Sequence, residues 1–366
     1  MRILIFHPFL WAHYKGKIYS ELHKLITPPN QLLVVHSCIS ESSRVALGEV
    51  DLSIHQYPYQ LISEQNFEVT SLWQRLKKAW KIVQKYKPTH INLTGYNDPA
   101  FWPIIFYARL FGIKLYLSNE STAADKSNRS WKDVFKKIII RQFDYFFTYG
   151  TKSAQYNISL GAKPEQILVK RNAVDNEAIR KIYDQHLKNS HSGKRNFMFV
   201  GRLIDIKNID GLIRAFQNLQ NSEQWGLIIV GEGNEKPRLQ ELAKNNQNIK
   251  FKHGTDWRGV AAHLADCDVF VLPSYSEPWG LVINEAMACE KPVIASAECG
   301  ATVDLIKEGI NGFAFKAQDT LALTQKMQYF VDNPDVIPIF GKASLKIIKN
   351  YSPQLVASEM FLAFQR

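Results

Sequence analysis

The sequence predicts an α/β protein of two doubly wound, Rossmann-like domains facing each other across a cleft. Three observations carry this. Short apolar runs alternate with amphipathic runs of helical spacing along most of the chain, the pattern of parallel strands joined by crossover helices. A polar, charged stretch over residues 176–195 interrupts the alternation, as a linker between domains does. At 366 residues the chain exceeds what one ordinary hydrophobic core organises. The expected division is a front domain over 1–175, a linker over 176–195, a rear domain over 196–349 and a last helical segment over 350–366.

In the front domain, residues 2–6 read as a buried strand, 7–17 as the loop after it and 18–25 as a helix. Ligands of open α/β sheets sit at the carboxyl ends of strands. His7, His13, Tyr14, Lys15 and Lys17 are therefore placed near a site, with Gly16 suited to a close backbone contact. Residues 32–36 form a second strand. Over 72–87, Leu72, Leu76, Ala79, Trp80 and Val83 fall at helical spacing, and Arg75, Lys77, Lys78, Lys81 and Lys85 supply a basic face. Such a face is either simply solvated or, with Trp73 and Trp80 at the interface, drawn to an anionic membrane surface.

Residues 90–93 are a strand ended by a loop in which Tyr96 and Asn97 are candidates for acceptor contact. The apolar stretch 99–117 is broken by Arg109, Gly112 and Lys114, which favours a helix and a strand over a membrane span. After the strand at 114–118, Glu120 and Asp125 lie on another carboxyl-end loop. Trp131, Val134, Phe135, Ile138 and Ile139 make a second apolar stripe among basic residues. Residues 144–148 and 167–171 are the remaining strands, separated by a helix over 151–160.

The rear domain opens with a strand at 196–200. Gly201, Arg202 and Lys207 follow on its loop, two cations five positions apart that suit a pyrophosphate, Arg bidentately and Lys as a point charge. A strand at 227–230 runs into Gly231, where backbone can approach a ligand. A dinucleotide fingerprint would need glycine at position 236, which is lysine. His253 ends the strand at 249–252, and 257–265 is helical. An apolar strand, 269–273, precedes Glu277-Pro278-Trp279-Gly280 and a helical run from Leu281. Pro278 keeps Glu277 off the helix. The amides of Gly280, Leu281 and Val282 then face outward at a helix start, a phosphate site. Glu285, over a turn further in, can accept two hydrogen bonds from a diol such as a ribose. A carboxylate on each side of a phosphate site matches the order ribose, phosphates, sugar. Further strands are expected at 292–296 and around Phe313 and Phe315, with helices at 321–331 and 351–364.

The net charge is unevenly placed. Residues 1–175 carry 23 Lys/Arg against 13 Asp/Glu, a net of +10, whereas the rear domain is near neutral. That points to an anionic partner for the front half. The four cysteines show no metal-ligand spacing, which fits a reducing compartment. The apolar run at the N-terminus is too short for a signal peptide.

The stretch from Ser274 to Ala288 resembles the E-x7-E motif of the retaining GT-B glycosyltransferases, glycosyltransferase family 4, and Gly201-Arg202 with Lys207 resembles the family's G-R-x4-K motif. The resemblance implies transfer of a sugar from a nucleotide sugar, UDP-linked first and GDP-linked next, with retained configuration and no metal or other cofactor. It implies Arg202 and Lys207 as pyrophosphate ligands, Glu285 on the ribose and Glu277 on the sugar as the catalytic carboxylate. It sets the His253 turn against the nucleobase and returns the last helix to the front domain. Glu120 stands where many relatives have a histidine, which makes it an acceptor-site candidate and the alternative base. In the family picture the leaving phosphate takes the acceptor proton. A glycan or lipid-pyrophosphate-linked glycan would suit the basic front half, at the cytoplasmic membrane face. Two other classes remain open: a sugar-nucleotide epimerase, and a basic nucleic-acid-binding protein, for which no recognised nucleic-acid motif is found.

Overall fold

The computed structural model describes residues 1–41, 50–122, 130–187 and 193–366, with backbone alone over 130–133. The chain forms two compact units, Met1–Ala173 with Pro353–Arg366, and Val174–Ser352.

The front unit holds strands β1 (Arg2–Phe9), β2 (Gln31–Cys38), β3 (Tyr59–Leu61), β4 (His90–Thr94), β5 (Lys114–Asn119), β6 (Tyr145–Thr148) and β7 (Ile167–Lys170). Its first helices are α1 (His13–Leu25), α2 (Leu72–Tyr86), α3 (Trp102–Leu110), α4 (Ser130–Ile140) and α5 (Thr151–Ser159). The strands form one parallel sheet in the order β3-β2-β1-β4-β5-β6-β7. The order reverses between β1 and β4, the point at which α/β sheets open a crevice.

The rear unit holds strands β8 (Arg195–Val200), β9 (Trp225–Val230), β10 (Ile249–Lys252), β11 (Val269–Leu272), β12 (Val293–Ser296) and β13 (Gly312–Phe315). Its helices are α6 (Asn176–Leu187), α7 (Ile209–Gln217), α8 (Lys236–Ala243), α9 (Trp257–His263), α10 (Leu281–Ala288), α11 (Gly300–Leu305), α12 (Thr320–Asp332) and α13 (Ile337–Ile348). Its parallel sheet runs β10-β9-β8-β11-β12-β13, with the reversal between β8 and β11. Strands such as β9, buried at every position, read as continuous apolar runs because helices cover both faces.

The final helix, α14 (Pro353–Phe364), belongs to the front unit. Its Val356, Ala357, Met360 and Phe364 pack with Ile18 and Leu22 of α1 on one face of the sheet. The Tyr116 hydroxyl donates to the Ala363 carbonyl at 3.1 Å. On the opposite face Ala79 and Val83 of α2, Ile104, Ile105 and Ala108 of α3, and Ile139 and Ile140 of α4 share another core.

The expected linker at 176–195 is corrected. Asn176–Leu187 is a helix of the rear unit with Ile179 and Tyr183 buried. These two lie four positions apart, on one helical face. The Arg180 guanidinium pairs with Glu290 at 3.0 Å, and the buried Lys291 ammonium donates to the Tyr183 hydroxyl at 3.1 Å. The charges that suggested a linker are the outer face and pairing groups of this helix. Residues 188–192 lie outside the described residues.

Candidate active site

The rear-unit candidates gather where the order of the sheet reverses. Arg202 and Lys207 follow β8, and Glu277 to Gly280 follow β11, its immediate neighbour. The two loops are tied, since the Tyr275 amide donates to the Ile206 carbonyl at 2.9 Å. Asn208, buried and left-handed (φ 52°), begins α7. Its amide group donates to the carbonyls of Pro273 (3.2 Å) and Ala317 (2.8 Å). The Lys207 ammonium reaches the Glu277 carboxylate, a partly buried ion pair with side chains 13% and 19% exposed. Sequence reading assigned these residues to different groups of a ligand; the structure pairs them directly. Arg202 is exposed and makes no ion pair among the described residues.

Gly280 caps α10 with φ +94° and no side-chain cap, a left-handed conformation that favours glycine. The Ile283 amide returns to the Gly280 carbonyl at 2.9 Å. No protein acceptor among the described residues takes the Leu281 and Val282 amides. Helix ends need such partners, and an anion beside Lys207 would supply them. The adjacent Trp279 is buried and donates through Nε1 to Asn284 Oδ1 at 2.9 Å.

Glu285 lies on the second turn of α10 and is only 9% exposed. Burial alone pushes its carboxyl up to about 8, because a charge in low dielectric is disfavoured. An acid held in this way ionises when a ligand supplies hydrogen-bond donors. The Ser274 hydroxyl, at the start of the same loop, is buried without a partner among the described residues.

The loop carrying Glu277 is held from behind. The Gly300 amide donates to the Glu277 carbonyl and the Ala301 amide to that of Trp279, both at 2.9 Å. A Cβ at Gly300 would lie 1.9 Å from the Pro278 carbonyl oxygen. Gly300→Ala is thus expected to cost about 1–3 kcal/mol through backbone displacement, read as a lower urea midpoint. An unchanged midpoint would mean the loop yields freely. Sequence analysis gave this glycine no role; its place at the start of a helix shortly after β12 was the available signal.

At the end of the neighbouring strand β9, a Cβ at Gly231 would fall 1.9 Å from the Gly201 carbonyl oxygen. The loops after β8 and β9 are therefore in backbone contact, and the Leu203 amide donates to the Glu232 carbonyl at 2.8 Å. His253, 93% exposed at its side chain, pairs through Nδ1 with Glu232 Oε1 at 2.8 Å.

The front-unit candidates divide. Gly16 is corrected from a loop position to the first turn of α1, which begins at His13. A Cβ there would lie 2.7 Å from the His55 ring, so its missing side chain makes room for His55. Tyr96 is buried in the core, and its carbonyl accepts from Trp102 Nε1 at 3.1 Å. Asn97 is exposed and lines a cavity of about 400 Å³ at the β1/β4 reversal, with His7, Phe9, Phe67 and Phe101 among its walls. Arg75, assigned by sequence to a basic face, is buried there and pairs with Asp98 at 2.8 Å. Glu120 is exposed just after β5. Nearby Lys15 is buried, its Nζ 3.2 Å from Asn172 Oδ1 and 3.6 Å from the Tyr149 ring centre. Burial lowers the Lys15 ammonium to about 7, against the opposing influence of Glu120. Asp125 lies outside the described residues.

Residues 182–351 match the sequence model of the family described as "Glycosyl transferases group 1". The chain is 25% identical over 259 residues to an uncharacterized glycosyltransferase of Methanocaldococcus jannaschii, covering 69% of this chain and 66% of that protein. It is 26% identical to a capsular polysaccharide biosynthesis glycosyltransferase of Staphylococcus aureus, covering 51% of this chain and 49% of that protein. The matched stretch thus spans under two thirds of either relative's length. Among solved structures, Anabaena HepE in complex with UDP and glucose superposes over 100% of this chain and 99% of its own with TM-score 0.74 at 17% identity, a likeness of fold.

Proposed function

We propose that the chain, whose residues 182–351 match the group 1 glycosyl transferase family and whose fold is that of the GT-B enzymes, is a retaining hexosyltransferase. It moves a sugar from a nucleotide-diphosphate sugar, UDP-linked first and GDP-linked next, to a hydroxyl of a glycan or lipid-pyrophosphate-linked glycan. The product feeds cell-surface polysaccharide synthesis, and the reaction runs in the cytoplasm, at the inner face of the membrane. The observation that carries this reading is the Lys207–Glu277 pair beside the open amides of α10 and the buried acid Glu285. The capsular relative supports the polysaccharide role, and the HepE complex with UDP supports the first-ranked donor.

In this reading the donor diphosphate meets Lys207, Arg202 and the amides of Leu281 and Val282. These charges and dipoles stabilise the leaving group as the glycosidic bond to phosphate breaks, so no metal is required. The ribose diol donates to Glu285, and the nucleobase lies toward Gly231 and His253. Lys207 exchanges its carboxylate partner for phosphate, which frees Glu277 to hold the sugar hydroxyls. The departing phosphate oxygen takes the acceptor proton, with Glu120 the protein group next in line for that role.

A thermal-shift series with UDP-, GDP- and ADP-sugars tests the donor, since a ligand of the folded state raises the midpoint by mass action. The expected result is the largest rise with a UDP-sugar. Transfer in the presence of EDTA, with the product anomer read by NMR, tests the rest. An inverted product, or activity lost to EDTA, would sink the retaining, metal-free mechanism. Epimerised donor formed without acceptor would replace transfer by epimerisation.

A further inference from the structure

The front unit carries an outward surface that the transfer chemistry does not use. Helices α2, α3 and α4 cover the same face of the sheet. They also touch side by side, with the Trp80 and Tyr107 rings 5.1 Å apart and those of Trp102 and Phe135 4.7 Å apart. On the outside of this layer Phe106 is 53% exposed, Leu110 80%, Phe111 62%, Val134 56% and Ile138 49%. Phe106 and Leu110 are four residues apart on α3, as are Val134 and Ile138 on α4, so each pair makes a stripe on one helix face. Of the apolar stripe read in the sequence, Val134, Phe135 and Ile138 are exposed and Ile139 is buried, as is the adjoining Ile140.

The same three helices carry nine Lys/Arg and a single acid, Asp133; of these cations Arg75 pairs with Asp98 and Arg109 with Asp144. Lys77, Lys81 and Lys85 of α2 recur every four residues, are exposed and make no ion pair among the described residues. Lys137 and Arg141 are likewise exposed at the end of α4. Bulky aliphatic and aromatic groups left in water call for an apolar partner. The unneutralised cations beside them call for an anionic one. A bilayer of anionic lipids supplies both at once, acyl chains at the interface and phosphate headgroups above them. A nucleic acid would meet the cations but not Leu110, Val134 and Ile138. Among the described residues no helix is long and apolar enough to cross a membrane, so attachment by this surface would be peripheral.

We propose that the outer surface of α2, α3 and α4 docks on an anionic membrane, with Phe106, Leu110, Val134 and Ile138 entering the interface and the α2 lysine row meeting lipid phosphates. The inference is independent of the sugar chemistry, and its test uses no donor or acceptor.

The full chain is floated with vesicles of phosphatidylcholine alone or with about a third phosphatidylglycerol, at low and at physiological salt. The expected result is binding to the anionic vesicles only, weakening with salt. Leu110→Ser with Ile138→Ser, and separately Lys77, Lys81 and Lys85→Gln, should each weaken binding about tenfold or more. Neither variant should change the melting temperature or the response to nucleotide sugars. Failure of the unmodified chain to bind anionic vesicles at low salt overturns the proposal. So does wild-type binding by both variants, or a concentration-dependent dimer in solution that Leu110→Ser with Ile138→Ser abolishes. The last result would make the apolar strip a contact between copies of the chain.

Discussion

Glu285→Gln is expected to abolish sugar transfer while making the ligand-free protein more stable in mild alkali. Burial raises this carboxyl to about 8, from an ordinary 4.5. Between these two values the folded chain holds a proton that the unfolded chain has released. The folded state is therefore penalised progressively as pH rises from about 4.5, and the penalty is complete above about 8. At one pKa unit per 1.36 kcal/mol the full penalty is on the order of a few kcal/mol. Glutamine is neutral at every pH and of the same shape. The melting temperature of the variant should match the wild type near pH 5 and exceed it at pH 8.5. Donor binding should show the same linkage from the other side. If the ribose diol needs the carboxylate, binding releases a proton, and donor affinity should tighten by up to about tenfold per pH unit up to pH 8. Glu285→Gln should lose that slope together with about 100-fold or more of its activity. Calorimetric titration of donor at pH 6.5 and 8.5 reads the slope; equal affinities for the wild type would remove Glu285 from the ribose site.

That such a residue could be singled out from sequence depended on where it lay. In the rear half the polar groups stand directly after short apolar runs, and a parallel sheet delivers the ends of adjacent strands to one edge. Arg202, Lys207, Gly280 and Glu285 were therefore legible as a group. The direct pairing of Lys207 with Glu277 was not, because it depends on how the loops after β8 and β11 close on each other through Tyr275 and Ile206. The front half was less legible for the same physical reason. Gly16 looked like a loop glycine, but α1 begins three residues before it and the space it leaves is filled by His55, thirty-nine positions away. Arg75 looked like one of five similar cations on α2; only the fold of the loop after β4 brings Asp98 to it. The segment 176–187 misled in the opposite direction. Its charges outnumber its two buried apolar residues, so local composition spoke for a linker while tertiary packing made it a helix.

Arg202 and Lys207 are expected to separate function from stability, although both would serve one diphosphate. Arg202 is exposed and unpaired among the described residues. Arg202→Ala should leave the urea midpoint within about 0.5 kcal/mol of wild type, yet lose about 100- to 1,000-fold in transfer, the range for removing one donor to a developing charge. Lys207→Ala should lose as much transfer and also about 1–2 kcal/mol of stability, because Glu277 would be left partly buried without its cation. Removing both partners, Lys207→Ala with Glu277→Ala, should return most of that stability, since no uncompensated charge remains, and return none of the activity. Lys207→Arg keeps the charge but spreads it over a planar fork, so it should preserve the midpoint and retain partial activity. Urea denaturation and transfer assays on these four variants separate the two roles. Should the double variant be as unstable as Lys207→Ala, the uncompensated charge of Glu277 would not be what the single variant suffers from. Should Arg202→Ala transfer sugar at the wild-type rate, the diphosphate would have to lie away from the loop after β8, and the site would be drawn in the wrong place.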